Sequence, residues 1–291
     1  MAGLNKGGGN PPRSDKDGDW SFAPSSQSPF GPGRGNAAMT NLVASEIIPR
    51  LSEASRHPNG PHLVAMTDLG REEVETFAEM AGFGRSEDID YFVANLLQRE
   101  GRDEAVLDLL AATARRLGQL WVEDEVDFAT VTIGVCRLQT VLHRLSDAHA
   151  QLNPPQAGFG SVFLASCPGE QHDFGVLLVA EFMRRAGIEV SLKPSAGHAD
   201  IVRAVALDSF QIAGLSLSRE AMIPQLESLI VSIRQKSRNP GIKIMVGGRV
   251  FLDQPELAKA VGADFRAVDG RDAVFQAQKI MPQLTRIETV R

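Results

Sequence analysis

Two rhythms divide the chain. Through its first half, apolar side chains return every three or four positions: Ile89, Phe92, Val93, Leu96 and Leu97, then Val106, Leu110, Leu117 and Trp121, then Val131, Val135, Leu138, Leu142 and Leu145. Such spacing lays a stripe along one face of each helix, and stripes of this kind bury one another in a bundle. "REEVETFAEMAGFG" carries acids in its first turn and closes on glycine, while "SEDIDYFVANLLQREG" opens on a serine in the capping place. In "NLVASEIIPRLSEA", Pro49 kinks or ends a shorter amphipathic stretch. The predicted helical bundle covers residues 40–152.

After "LNPPQAGFG" the period changes. "SVFLAS", "IEVSL", "QIAGLSLS" and "IKIMVG" are short β-branched runs, and "ADFRAVD" is a weaker fifth. Helical stretches separate and follow them, over 174–186, 199–208, 219–236, 255–261 and 271–281. Regular alternation of strand and helix predicts a doubly wound parallel sheet with helices on both faces, a Rossmann-like α/β domain over residues 160–285. In such sheets ligands gather at the C-terminal ends of the strands.

Composition adds limits. Residues 1–38 are dominated by Gly, Pro, Ser and Asn, with isolated apolar positions, which predicts a disordered arm. The remainder is ordinary for a globular protein, with 43% hydrophobic and 23% charged residues over the whole 291. No apolar run reaches the roughly 18 residues of a membrane span, and no secretory signal pattern opens the chain, so a cytoplasmic protein without membrane attachment is expected. Two cysteines, Cys136 and Cys167, give no disulfide framework. The net charge is −6, and no helix carries a Lys/Arg cluster of the kind that releases counterions from duplex DNA. Direct DNA binding is not expected; binding to a DNA-binding partner stays open.

The candidate chemistry sits in three loops that leave strand ends. The first is Glu170-Gln171-His172-Asp173-Phe174-Gly175, the second runs from Gly214 to Ser218, and the third opens with Gly247-Gly248. A loop histidine can give a ring nitrogen to a metal, provided its other nitrogen has a partner that fixes tautomer and direction; Glu170 and Asp173 are both near enough. Gly175 leaves backbone bare where a ligand would press. The hydroxyls of Ser216 and Ser218 can bind a ligand tail or cap the following helix. Gly247-Gly248 lets such a tail pass or simply makes a tight turn. Trp121 lies on an apolar helix face, the usual place of an aromatic that fills a bundle core. Cys167 has no adjacent base to activate it, and His143, His149 and His198 show no ligand-like spacing, His198 reading as a solvent-facing loop residue.

Glu170-x-His172-x-x-Gly175, then Ser216-x-Ser218, then Gly247-Gly248, resembles the signature of cobalamin-binding domains: Asp-x-His-x-x-Gly, Ser-x-Leu, Gly-Gly. "LGQLWVEDEVDF" resembles the segment in which a tryptophan, here Trp121, covers the upper face of the corrin, and the arrangement of the whole resembles the PpaA/AerR group of photosynthesis-gene regulators. The resemblance implies cobalamin held with His172 as lower axial ligand of cobalt, and an antirepressor acting on a PpsR/CrtJ-type transcription repressor, sensing light or redox state without catalysis. Glu170 stands where the motif has Asp, so its longer stem must fold back to the imidazole, and Ser218 stands where it has Leu. Light-sensing relatives carry a Glu-His pair ten and eleven places after the tryptophan; here those places are Val131 and Thr132. Hydroxo- or aquocobalamin is therefore expected rather than the adenosyl form. Three alternatives remain beside the regulator: a corrinoid methyl carrier of a methyltransferase system, a haem sensor of the same fold, and an interaction module without ligand.

Overall fold

Short polar signals set the first helices. The computed structural model describes residues 70–152 and 161–281; the expected arm, the Pro49 stretch and most of the "LNPPQAGFG" break lie outside them. Helix α1 (Arg71–Phe83) places Glu72 and Glu73 in its first turn, where the helix dipole favours negative charge, and Glu73 accepts the Gly70 N–H at 3.1 Å. In α2 (Ser86–Glu100) the cap differs from the expected serine: Arg85 is the capping position, and Asp88 accepts its backbone N–H at 3.3 Å. The helix stops at Gly101, whose φ of 66° is easy for glycine. Then come α3 (Glu104–Val122) and α4 (Phe128–Leu152), the latter opened by Asp127, which accepts the Thr130 N–H at 2.7 Å.

The second half is the expected doubly wound sheet. Strands β1 (Ser161–Ser166), β2 (Glu189–Lys193), β3 (Ile212–Ser216), β4 (Lys243–Gly247) and β5 (Phe265–Arg266) are all parallel, in the order β2-β1-β3-β4-β5. The helices are α5 (Phe174–Arg185), α6 (His198–Leu207), α7 (Ile223–Lys236), the short α8 (Arg249–Asp253) and α9 (Leu257–Ala260), and α10 (Gly270–Ile280). Alternate strand residues serve opposite faces, as the pleat requires. Phe163 and Ala165 of β1 pack with Ile201 and Val205 of α6 and Leu226 and Leu229 of α7. Val162 and Leu164 pack with Val176 and Ala180 of α5 and Ala273 and Ala277 of α10. Two boundaries differ from the sequence reading. The helix expected from residue 219 starts at Ile223, because Pro224 fits a first turn and no later position, and a single tight turn, Glu220–Met222, precedes it. Helix α8 was expected as loop; it begins directly behind Gly248.

The helical half shares its core with one helix of the sheet domain. Phe174, Leu178 and Phe182 of α5 belong to the same buried cluster as Phe77, Leu107, Leu110, Leu117, Leu138 and Leu142 of α1, α3 and α4. Beside it lies a buried ionic knot. Glu181 of α5, its side chain 3% exposed, accepts from Arg184, Arg185 and the Ser146 hydroxyl of α4, and Arg185 also donates to the Leu145 carbonyl at 3.3 Å. Arg271 of α10 grips Asp108 of α3 through two N–H groups, at 3.0 and 2.6 Å, with its guanidinium over the Phe182 ring. Burial works against the Glu181 charge, yet the hydrogen bonds from Arg184, Arg185 and Ser146 outweigh it and hold the carboxyl below its ordinary value.

Removing one partner of a buried pair strands the other, so Glu181→Ala should cost about 3–5 kcal/mol at pH 7, read from urea unfolding. A carboxyl lowered in the folded state stabilises above its unfolded value and stops doing so as pH falls through the folded one. The deficit of the variant should therefore shrink in acid.

Candidate functional site

Three loops meet at the C-terminal edge of the sheet because their strands are neighbours in register: Ser166 of β1 lies opposite Ser216 of β3, which lies opposite Gly247 of β4. Backbone hydrogen bonds continue the pairing into the loops. Cys167 N–H donates to the Ser216 carbonyl and Leu217 N–H to the Gly247 carbonyl, both at 2.9 Å. Gly248 has φ of 101°, and a Cβ there would sit 2.4 Å from the Leu217 carbonyl oxygen. Only a glycine allows the third loop to close on the second.

Glu170 organises the first loop. Its side chain is fully buried, and its carboxylate collects four N–H groups. Oε1 accepts from the backbone of Gln171 at 2.9 Å, the backbone of His172 at 3.2 Å and the His172 ring at 2.7 Å. Oε2 accepts from the backbone of Ser218 at 2.8 Å. The longer stem does fold back to the imidazole. Burial raises the carboxyl, but the His172 hydrogen bond and the Ser218 and Gln171 N–H groups prevail and bring it to about 2. An ionised carboxylate accepts only, so the proton of that bond is on His172 Nδ1. The imidazole is 67% exposed and its Nε2 has no partner among the described residues. A ring fixed at one nitrogen and open at the other is the arrangement a metal ligand needs.

The other expected residues fall into place unequally. Asp173, offered beside Glu170 as the partner of the imidazole, instead accepts hydroxyls from Ser166 and from Ser195 behind β2, the latter at 2.6 Å. Gly175, in the first turn of α5, has open space where a Cβ would be, so packing alone does not require glycine. Ser216 and Ser218 cap no helix; the second loop contributes the Ser218 backbone, and neither hydroxyl meets another described residue. Trp121 is half-buried rather than core, edge-on to the exposed Phe128 at 6.3 Å between ring centres.

Asp103 of α3 meets Arg185 of α5, and Asp108 meets Arg271, whose guanidinium lies over Phe182. Val131 packs against the bundle core, and the Thr132 hydroxyl donates to the Phe128 carbonyl at 2.8 Å, which leaves no acidic or imidazole group at those two places.

Other polar groups resolve as structure. Burial, and then the Glu170 charge, pushes the Cys167 thiol up to about 11, so it stays protonated. His198, expected in a loop, opens α6 and its Nε2 meets the Ser232 hydroxyl at 3.1 Å. Among the described residues no cluster of three His, Cys, Asp or Glu is disposed to hold a metal. Two clefts, of about 630 and 400 Å³, lie on the helical half and contain none of the three loops. Sequence reasoning passed over Ser166, Ser195 and Arg219, whose partners stand 7, 22 and 50 residues away; no local pattern could have marked them.

Glu170→Gln should lower stability at pH 7 and reduce its pH dependence. The folded carboxyl lies at about 2 against an ordinary 4.5, so its contribution is complete above 4.5 and fades as pH falls towards 2. Urea unfolding at pH 7 and pH 3 should show the gap between wild type and variant closing in acid.

Residues 160–277 match the B12 binding domain family. The chain is 28% identical over 162 residues, 56% of its length, to an uncharacterized 20.5 kDa protein of the bchF-crtJ intergenic region of Rhodobacter capsulatus, and spans 84% of that protein. It is 22% identical over 181 residues, 59% of its length, to dimethylamine corrinoid protein 1 of Methanosarcina acetivorans, spanning 80% of it. In fold it is similar to the monomethylamine corrinoid protein of Methanosarcina barkeri, with a TM-score of 0.60 at 15% identity, over 73% of this chain and all of that one. No helix among the described residues is long and apolar enough to cross a membrane. Residues 160–277, which match the B12 binding domain, follow the helices α1–α4 and share a core with them through α5.

Proposed function

We propose that the chain binds cobalamin with His172 as lower axial ligand and works as a cytoplasmic, non-catalytic sensor, an antirepressor that contacts a PpsR/CrtJ-type transcription repressor of photosynthesis genes. One observation carries the cofactor part: in a B12 binding domain, an exposed imidazole is held by its Nδ1 on a buried, ionised carboxylate, with Nε2 left for a metal. A single imidazole suits a metal that arrives with its other ligands in a macrocycle. The domain match favours a corrin over a haem. Bound there, cobalamin would supply a cobalt with an exchangeable upper ligand.

The residues of the chain do the rest. Glu170 sets tautomer and aim of the imidazole, Gly175 leaves the first turn of α5 bare, and Gly247-Gly248 keeps the third loop low against Leu217. Val131 and Thr132, in place of a Glu-His pair, favour a small upper ligand, hydroxo or aquo. The regulatory part is supported by the relative from the bchF-crtJ region and by a net charge of −6, which suits protein contact better than DNA contact. Light or redox state would act by changing which cofactor form is held, and only unequal affinity for the repressor turns that into a signal.

His172→Ala should weaken hydroxocobalamin retention by about 10–100-fold and alter the absorbance of whatever remains, measured after incubation and removal of excess. Unchanged retention and spectrum would remove His172 from the site. For regulation, operator binding by a PpsR/CrtJ-type repressor should fall when the loaded chain is added and stay unaffected by unloaded His172→Ala. Equal occupancy in both cases contradicts the antirepressor role. The methyl-carrier reading has the dimethylamine corrinoid relative in its favour; it requires that chain loaded with methylcobalamin lose the methyl group to a partner methyltransferase.

A further inference from the structure

Arg219 belongs to no motif read from the sequence, yet it touches the ligand arm from outside. Its Nη2 donates to the Gly169 carbonyl at 2.6 Å and to the Met222 sulfur at 3.0 Å, and its Nε lies 3.9 Å from Glu170 Oε1. The neighbouring residue, Ser218, donates its backbone N–H to the other oxygen of the same carboxylate. Ser218, the last residue of the second loop, and Arg219 directly behind it therefore hold the first loop on both sides of Glu170: Ser218 at the carboxylate, Arg219 at the peptide group before it.

We propose that Arg219 is a positioning residue for cofactor binding: it anchors the Gly169–Glu170 peptide to the second loop and so fixes where the His172 imidazole is presented. The inference rests on the cobalamin reading above. His172 is only two residues beyond Glu170, and its ring is otherwise held by one hydrogen bond. Rotation of the peptide ahead of Glu170 would carry the carboxylate, and the imidazole with it, out of line. A metal ligand tolerates little of that, since the supporting groups keep productive geometry to within about 0.5 Å. The guanidinium is half-exposed, but its Nη2 is committed to the protein, which sets it apart from a free hook for an anionic ligand group.

The test uses the full chain as wild type, Arg219→Met and Arg219→Lys, titrated with hydroxocobalamin and with cobinamide, which lacks the nucleotide tail. After reduction to cobalt(II), paramagnetic resonance on protein labelled with ¹⁵N-histidine reads how much cobalt carries an imidazole nitrogen of the chain. Arg219→Met should weaken both corrinoids by about tenfold and lower the histidine-bound fraction, in line with other supporting groups of metal ligands. Arg219→Lys, which keeps a charged donor, should recover most of both. Wild-type affinity together with a wild-type histidine signal in Arg219→Met overturns the proposal. So does a loss confined to cobalamin with cobinamide unchanged, which would place Arg219 on the tail instead. If the Met variant does not fold by its far-ultraviolet spectrum, Arg219→Gln replaces it with the same two readings. Should wild type itself take up neither corrinoid, the cobalamin reading falls and this inference with it.

Discussion

A carboxylate with no exposed side-chain surface, ionised and surrounded by N–H groups, is the constraint on which the candidate site depends. Stripping water from Glu170 is costly, and the cost is offset only when the loops come together. Gln171 and His172 supply donors from its own loop, but the fourth N–H comes from Ser218, across the sheet edge. The first and second loops are thus held in one geometry by the requirement that a single charge be satisfied. Orientation of the imidazole follows from the same requirement, because its ring N–H is one of the four donors to the carboxylate.

The loop that bears His172 runs directly into α5, and α5 has its other face in the core of the helical half. Phe174 stands two residues beyond His172 and is already part of that core. The arm that would hold a ligand and the helices that would cover it are therefore connected through one short, buried segment, reinforced by Glu181, Arg185 and Ser146 at its far end. Phe174 and α5 thus join the His172 loop to α3 and α4, whose facing ends carry the half-buried Trp121 and the exposed Phe128. For a protein proposed to report a ligand by contact with a partner, this coupling is more useful than a separate binding lobe on a free linker.

Much of this was legible in the sequence. Periods of 3.6 and 2 reflect local backbone geometry, so the helical stripes, the parallel strands and the change of architecture after residue 152 could be read directly. His172, Glu170 and Gly248 could be read as well, since they stand at strand ends and glycine needs a backbone reason. The reading failed where the outcome depended on competition between near neighbours. Arg85 rather than Ser86 became the capping position, Pro224 delayed a helix, and Glu170 rather than Asp173 holds the imidazole while the hydroxyls of Ser166 and Ser195 engage Asp173.

What the sequence determined by itself is the order and type of the elements and the place of the Glu170–His172 loop at a strand end, because these depend on residues close together in the chain. Tertiary structure alone decided which donors satisfy the Glu170 charge, that α5 lies in the core of the helical half, and that Arg219 reaches the Gly169 carbonyl 50 residues away. Those outcomes depend on which strand ends become neighbours, and the order β2-β1-β3-β4-β5 is a property of the folded sheet that no local pattern contains.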